Sequence, residues 1–381
     1  MIPEGFLFSA VNSGIKPEKP FDLGLIFVPE GAVAWGVFTR NTVKAAPVIL
    51  GKKILQKHSV VKGILANSGV ANACTGKEGL EAAQKVLEAV QRILNIPSGA
   101  LLPASTGVIG DPLPVEKIIK SLPELIKGLS PERAKDFAQA ITTTDTFPKI
   151  VQKTFQGVNI LGIAKGAGMI APNMATMLAF ICTDAILERS WLKKALSKMV
   201  ESTFNSISVD EDTSTNDTVY FLASCKRKVK NLSGFRKACE EVMRELAYLI
   251  VKDGEGATKV IRVLVKGARK KQEARELARA IATSLLVKTA FYGGDPNWGR
   301  IFAAMGKTGI PFQPERVELF LNEIPWIKNL TLVTEERILV EEMKKEEVTL
   351  TVHLKKGRAR AEFLSSDLTE EYIRINAHYR T

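Results

Sequence analysis

Lys165-Gly166-Ala167-Gly168-Met169-Ile170-Ala171-Pro172-Asn173-Met174-Ala175-Thr176-Met177-Leu178 joins two apolar runs through a glycine-rich connection. Val158 to Ile163 before it and Thr176 to Thr183 after it carry β-branched and apolar residues, so the passage predicts strand, glycine loop, strand. Thr176 then begins the second strand. Gly166-x-Gly168-x-x-Ala171 after a strand also fits a dinucleotide loop, but Pro172 and Asn173 fall where the phosphate-binding helix has to continue. A Rossmann site is therefore set aside.

A threonine hydroxyl is a weak nucleophile and needs an adjacent base. Cutting the chain between Ala175 and Thr176 would supply one. The new α-amino group titrates near ~7.7–8.0, close enough to neutrality to accept the hydroxyl proton. Thr176 would then carry both nucleophile and base.

Outward from this passage the pattern is an α/β mixture. Leu25 to Val28, Ala34 to Thr39 and Val60 to Ala66 read as strands of an N-terminal sheet. Lys77 to Leu94 has apolar residues at helical spacing and stops before Pro97, and Ser130-Pro131 opens a helix running to about Ala140. Trp191 to Phe204, Phe235 to Val251 and Gln272 to Val287 predict further helices, with strands at Val219 to Ala223 and Val260 to Val265. Past Pro311 the chain turns β-rich: Val348 to Leu354 alternate, and Lys356-Gly357 reads as a hairpin turn into Ala359, Ala361 and Phe363. Layered sheet and helix follow, with a smaller C-terminal lobe from about residue 311.

Length and composition bound the function. A chain of 381 residues with 45% apolar content can bury a large core and favours two lobes. No apolar run reaches the ~18 residues of a membrane span, and the start lacks a basic region followed by an apolar one, so the cytoplasm is the expected location. The net charge of +12 raises the question of nucleic acid, yet the basic runs Lys226-Arg227-Lys228 and Arg269-Lys270-Lys271 are short and lack interleaved aromatics. A solvated basic face, or an anionic substrate, accounts better for the charge. Cys74, Cys182, Cys225 and Cys239 are widely spaced and read as reduced, mostly buried thiols.

Histidine is scarce, which removes the commonest base. His58 sits in a Lys-rich connector and His353 in a strand pattern, leaving His378 as the one open candidate for a histidine triad. No Cys/His cluster has metal-ligand spacing, and no cofactor is expected. Asp210-Glu211-Asp212-Thr213-Ser214-Thr215-Asn216-Asp217 resembles a calcium loop, but Thr215 and Phe221 stand where Gly and Glu are needed. Ser105-Thr106-Gly107-Val108-Ile109-Gly110 reads as a turn whose hydroxyl and backbone N–H suit an oxyanion hole.

These passages together resemble the ornithine acetyltransferase family of arginine biosynthesis, over essentially the whole chain. The matches are Asn67-Ser68-Gly69 with Ala71-Asn72-Ala73-Cys74-Thr75-Gly76, Ser105 to Gly110, Thr143-Thr144-Asp145-Thr146, Lys165 to Leu178, Asp212 to Thr218, Asp253 to Lys259, Gly294 to Arg300, and Ile375 to Thr381, in the family's order. The resemblance implies a sheet-and-helix sandwich akin to N-terminal-nucleophile enzymes. It also implies self-cleavage at Ala175-Thr176 into an α chain (1–175) and a β chain (176–381) that stay associated as a heterotetramer.

By the same resemblance, an acetyl group passes from N2-acetyl-L-ornithine to L-glutamate through an acetyl-threonine intermediate, and some members take acetyl-CoA as donor. Thr106 and Gly107 would hold the oxyanion, Thr176 would carry the acetyl group, and Thr143, Lys165, Glu255, Asn376 and Thr381 would contact substrate. Among the three consecutive threonines, spacing from the oxyanion pair favours Thr143 over Thr144. Val70 and Glu211 depart from the family pattern, where a polar residue and a glycine are usual. Two other readings compete: a self-processing aminopeptidase or amidase with water as acceptor, and a non-catalytic basic binding protein.

Overall fold

Apolar alternation along Leu23–Phe38 builds the first sheet with both faces covered. Leu23 and Leu25 pack with Val86, Leu87 and Val90 and with Ile118, Leu122 and Leu125 on one face. Ile26, Val28, Ala32 and Ala34 pack with Phe137 and Ala138 on the other. Gly24 is required here, because a Cβ would come within 2.7 Å of the Phe137 ring.

The computed structural model describes residues 1–171 and 177–378, and these form two units. The first takes the described residues of Met1–Asn205 and Asp212–Ile250; the second takes Ser206–Glu211 and the described residues from Val251 on. In chain order the strands are β1 (Leu7–Val11), β2 (Leu23–Phe38), β3 (Val60–Val70), β4 (Leu101–Val108), β5 (Lys149–Phe155), β6 (Val158–Lys165) and β7 (Leu178–Ala185). The two-residue β8 (Ile207–Ser208) belongs to the second unit, and β9 (Thr218–Arg227) returns to the first.

The first sheet has the order β4-β3-β2-β9-β7-β6-β5, with β1 pairing on β2. Helices α1 (Ala46–Lys57), α2 (Gly76–Ile93), α3 (Val115–Lys127), α4 (Ala134–Ala140), α5 (Arg189–Ser202) and α6 (Leu232–Lys252) accompany it. Gly162 lets α6 approach β6, since a Cβ there would meet Val242 and Leu246 at 2.6 and 2.7 Å.

The second unit holds β10 (Val260–Ala268), β11 (Glu318–Leu321), β12 (Ile324–Lys328), β13 (Thr331–Leu332), β14 (Glu347–His353) and β15 (Ala359–Ser366), in the order β13-β12-β11-β14-β10-β15-β8. Helices α7 (Lys271–Ala282), α8 (Leu285–Gly293), α9 (Trp298–Gly306), α10 (Glu336–Met343) and α11 (Glu370–His378) belong with it. Its core packs Leu277, Ala278 and Ile281 with Ile261, Val263 and Val265.

Several expectations change. The runs at Leu25 and Ala34 are one strand, bulged between Phe27 and Ala32, where Gly31 takes φ +94°. Lys356-Gly357 is no hairpin: β10 lies between β14 and β15, pairing parallel with the first and antiparallel with the second. The helix expected from Gln272 to Val287 breaks at Thr283-Ser284, where the Ser284 hydroxyl caps a new helix through the Val287 N–H. Ser105 to Val108 continues β4 rather than turning. Cys182 and Cys239 are buried, but Cys74 is exposed.

Candidate active site

The end of β4 sits beside the end of β3, with Ser68 opposite Thr106 and Gly69 opposite Gly107 before a register shift at Val70. Gly107 has φ +129°, and a Cβ there would lie 2.2 Å from the Gly69 carbonyl carbon. Only glycine fits so close a backbone approach. Side chains brace this edge: Ser105 Oγ donates to Asn67 Oδ1 (2.6 Å), and Asn216 Nδ2 donates to the carbonyls of Ala71 (2.6 Å) and Ser105 (2.8 Å). Thr106 and Gly107 are half-buried at the edge so formed.

Lys165 ends β6 and is buried, and its ammonium donates to Thr106 Oγ1 at 3.2 Å. The register pairs Lys165 with Leu178, so the chain leaves β6 and re-enters β7 at adjacent positions. Residues Ala175 and Thr176, the expected cleavage site and nucleophile, lie outside the described residues, as does Thr381. Met177, covalently next to Thr176, is buried, and its carbonyl accepts the Thr218 N–H at 3.0 Å.

A carboxylate given no role by sequence organises this corner. Asp145 Oδ1 accepts the Gly166 N–H at 2.7 Å and the Lys149 ammonium at 2.6 Å, while Oδ2 accepts the Thr143 N–H at 3.0 Å. The Asp145 and Lys149 side chains are both fully buried. Burial pushes the Asp145 carboxyl up, but the charges of Lys149 and Lys165 and the Gly166 N–H outweigh it and hold the group at about 2. Asp145 thus ties the Thr142–Thr144 turn to the start of the glycine loop.

Lys16 is a second group that sequence reading missed. Asp22 shapes its loop by accepting the N–H groups of Ser13, Ile15 and Lys16 and the Ser13 hydroxyl. The Lys16 ammonium then donates to the Thr142 carbonyl at 2.6 Å. Burial first, then the charge of Lys19, with a smaller contribution from Lys165, lowers it to about 8.

The acidic loop contributes a buried carboxyl. Thr213 Oγ1 donates to the Ala171 carbonyl at 2.9 Å, anchoring the loop to the glycine-rich passage. Asp217 is buried, and its Oδ2 has no hydrogen-bond partner among the described residues. Burial raises its carboxyl well above the ordinary value; the Ser214 hydroxyl, the Met177 N–H and the Lys165 charge oppose this without overcoming it. Glu211, where the family usually has glycine, takes φ +67°.

Of the remaining expected contacts, Glu255 and Asn376 belong to the second unit and bond each other, Asn376 Nδ2 donating to Glu255 Oε2 at 2.8 Å. Asp367 fixes the preceding loop by accepting the N–H groups of Thr258 (2.9 Å) and Lys259 (3.0 Å). Gly256, at φ +67°, leaves no room for a Cβ, which would stand 2.5 Å from the Tyr372 nitrogen. His378 ends α11 and is exposed. No helix among the described residues is long and apolar enough to cross a membrane.

A hydroxyl that accepts from an ammonium keeps its own proton to donate, so Thr106 can steady a developing oxyanion. With Gly107 beside it on a two-sheet α/β frame, the chain has the fold and donor set of an acyl-transfer enzyme. Residues 7–381 match the ArgJ family. The arginine biosynthesis bifunctional protein ArgJ of Thermotoga neapolitana is 45% identical, covering 100% of both chains, and that of Geobacter sulfurreducens is 44% identical, covering 99% of both. The crystal structure of the Bacillus halodurans protein of the same name is 39% identical with a TM-score of 0.52, covering 54% of this chain and 100% of that one. The chain belongs to the ArgJ family and is an acyltransferase of arginine biosynthesis.

Proposed function

We propose that this enzyme moves an acetyl group from N2-acetyl-L-ornithine to L-glutamate, with Thr176 as nucleophile after self-cleavage at Ala175-Thr176. The observation that carries the reading is the Lys165–Thr106 contact at 3.2 Å, made at a strand end that the register pairs with Leu178, two residues beyond Thr176.

In this mechanism the Thr176 hydroxyl attacks the acetyl carbonyl and its proton passes to the Thr176 α-amine. Thr106 hydroxyl and Gly107 N–H stabilise the tetrahedral anion. Collapse returns the proton to the departing ornithine amine and leaves an acetyl-threonine ester. Glutamate enters, its amine attacks the ester, and N-acetylglutamate leaves with the hydroxyl restored, which makes the kinetics ping-pong. Thr143, Lys165, Glu255, Asn376 and Thr381 hold the two amino acids, the cation facing carboxylates and Glu255 an ammonium. Acetyl-CoA serves as a second donor. The α chain (1–175) and β chain (176–381) stay together as a heterotetramer in the cytoplasm, with the β chain carrying the β-rich C-terminal lobe.

Intact mass and turnover test this. Two fragments meeting at Ala175-Thr176, abolished by Thr176→Ala, are expected. Acetylornithine plus glutamate should then give N-acetylglutamate with parallel double-reciprocal lines. Acetate release without glutamate would instead favour an amidase, and an uncut, inactive wild-type chain would exclude both.

A further inference from the structure

Trp35, Val37 and Phe38 of β2, Leu55 of α1, and the cations Arg40, Lys44 and Lys52 line a cavity of about 610 Å³ within the first unit. Among the described residues no acidic side chain lines it. We propose that this cavity binds an organic phosphate of the nucleotide class, with at least two phosphoryl groups facing the three cations and the organic part against the apolar wall. This site lies beyond the acetyl-transfer reading and does not depend on it.

Charge carries the first half of the argument. Arg40, Lys44 and Lys52 have no carboxylate partner among the described residues, and the Lys44 ammonium is held only by the Asn41 carbonyl at 2.7 Å. Lys52 stands 5.4 Å from the centre of the Phe38 ring. Its ammonium is lowered by burial and by the charge of Lys44, so the fold holds like charges together without offsetting them itself. Two more cations stand near Trp35 without lining the cavity, Arg189 at 5.1 Å and Lys193 at 5.3 Å from its ring. Arg and Lys converging in this way recognise phosphate oxygens.

Size and lining carry the second half. The volume lies within the ~300–1,000 Å³ of small-molecule sites, far more than an inorganic anion fills. Trp35, Val37, Phe38 and Leu55 offer an apolar surface that pyrophosphate alone leaves unused.

Calorimetric titration of the full-length protein with ADP, pyrophosphate and adenosine at low ionic strength tests the proposal. ADP is expected to bind at least about tenfold tighter than either pyrophosphate or adenosine, because each lacks one half of the recognition. Lys44→Gln with Lys52→Gln should weaken ADP by about thirtyfold or more, Arg40→Gln on its exposed position should weaken it by about tenfold, and Lys53→Gln on the same helix as Lys52 should leave it unchanged. Acetyl transfer and melting temperature of each variant report whether it is folded. ADP binding no tighter than pyrophosphate, or insensitive to both the double lysine change and Arg40→Gln, would overturn the proposal and leave the acetyl-transfer reading standing.

Discussion

Lys165 Nζ donates to Thr106 Oγ1 across 3.2 Å, tying the last residue of β6 to the end of β4. The contact fixes the Thr106 rotamer and leaves its proton free to turn toward a developing oxyanion. Thr106→Val keeps the shape and removes the donor. Its kcat for acetylornithine and glutamate is expected to fall by ~10²–10³, the usual loss for one oxyanion donor, with KM changed far less. Initial-rate kinetics on folded protein check this, and an unchanged kcat would remove Thr106 from the chemistry.

Gly107 and Gly69 meet so closely that any Cβ at 107 must displace the β3 backbone, and φ +129° is itself unfavourable for other residues. Gly107→Ala is therefore expected to cost about 1–3 kcal/mol through strain and to shift the oxyanion edge. A melting-temperature drop of roughly 3–10 °C accompanied by loss of acetyl transfer is the expected outcome. A variant that melts with the wild type and stays active would mean that Gly69 and Val70 yield easily.

Asp145 gives a pH signature. Its carboxyl lies near 2 when folded and near the ordinary ~3.9 when unfolded, so the unfolded chain binds the extra proton and stability falls as pH drops from about 4 toward 2. Above that window the contribution is fully present. Asp145→Asn removes it and takes the carboxylate from beside the buried Lys149 ammonium, a change expected to cost about 3–5 kcal/mol at neutral pH and to flatten the acid limb of the unfolding curve. Urea unfolding from pH 2 to pH 7 reads both effects. An acid limb of wild-type slope in the variant would assign the titration to another carboxylate.

Much of this was legible in the sequence, and what was not has physical causes. Strand, glycine loop and strand around residue 166 follow from apolar runs and Gly/Pro punctuation, and β6 and β7 form where that pattern places them. Helix α3, which the sequence reading left unassigned, carries Pro123 in its interior, a residue that ordinarily interrupts helical periodicity. The exchange of a β14–β15 hairpin for two strands flanking β10 could not be seen locally, since a short Lys-Gly link looks alike in both. Thr106 and Gly107 stood out through motif chemistry, and Lys165 through the family resemblance. Lys16 did not, because its loop owes its shape to Asp22 and its company to a carbonyl far along the chain. Asp145 lay inside a quoted motif, but only folding shows its bonds to Gly166 and Thr143.

Asp217 is the opposite case from Asp145, and the sign of its effect reverses. Burial raises its carboxyl, so the folded protein holds a proton that the unfolded chain has lost above about pH 4, and stability declines as pH rises through that range. Burial thus favours the protonated carboxyl, which sits beside the Met177 N–H, one peptide from Thr176. Asp217→Asn supplies a permanently neutral side chain of the same shape. It is expected to be at least as stable as wild type at pH 8, to lose the decline above pH 4, and to retain self-cleavage and acetyl transfer within about tenfold, since a neutral acid gives up little when replaced by an amide. Asp217→Glu, with one more methylene in a fully buried site, is expected to cost about 1–3 kcal/mol from overpacking. Denaturant midpoints across pH 5 to 8 decide the matter: an Asn variant destabilised most at high pH would show that Asp217 is ionised in the folded protein and that an anion beside Met177 serves the site.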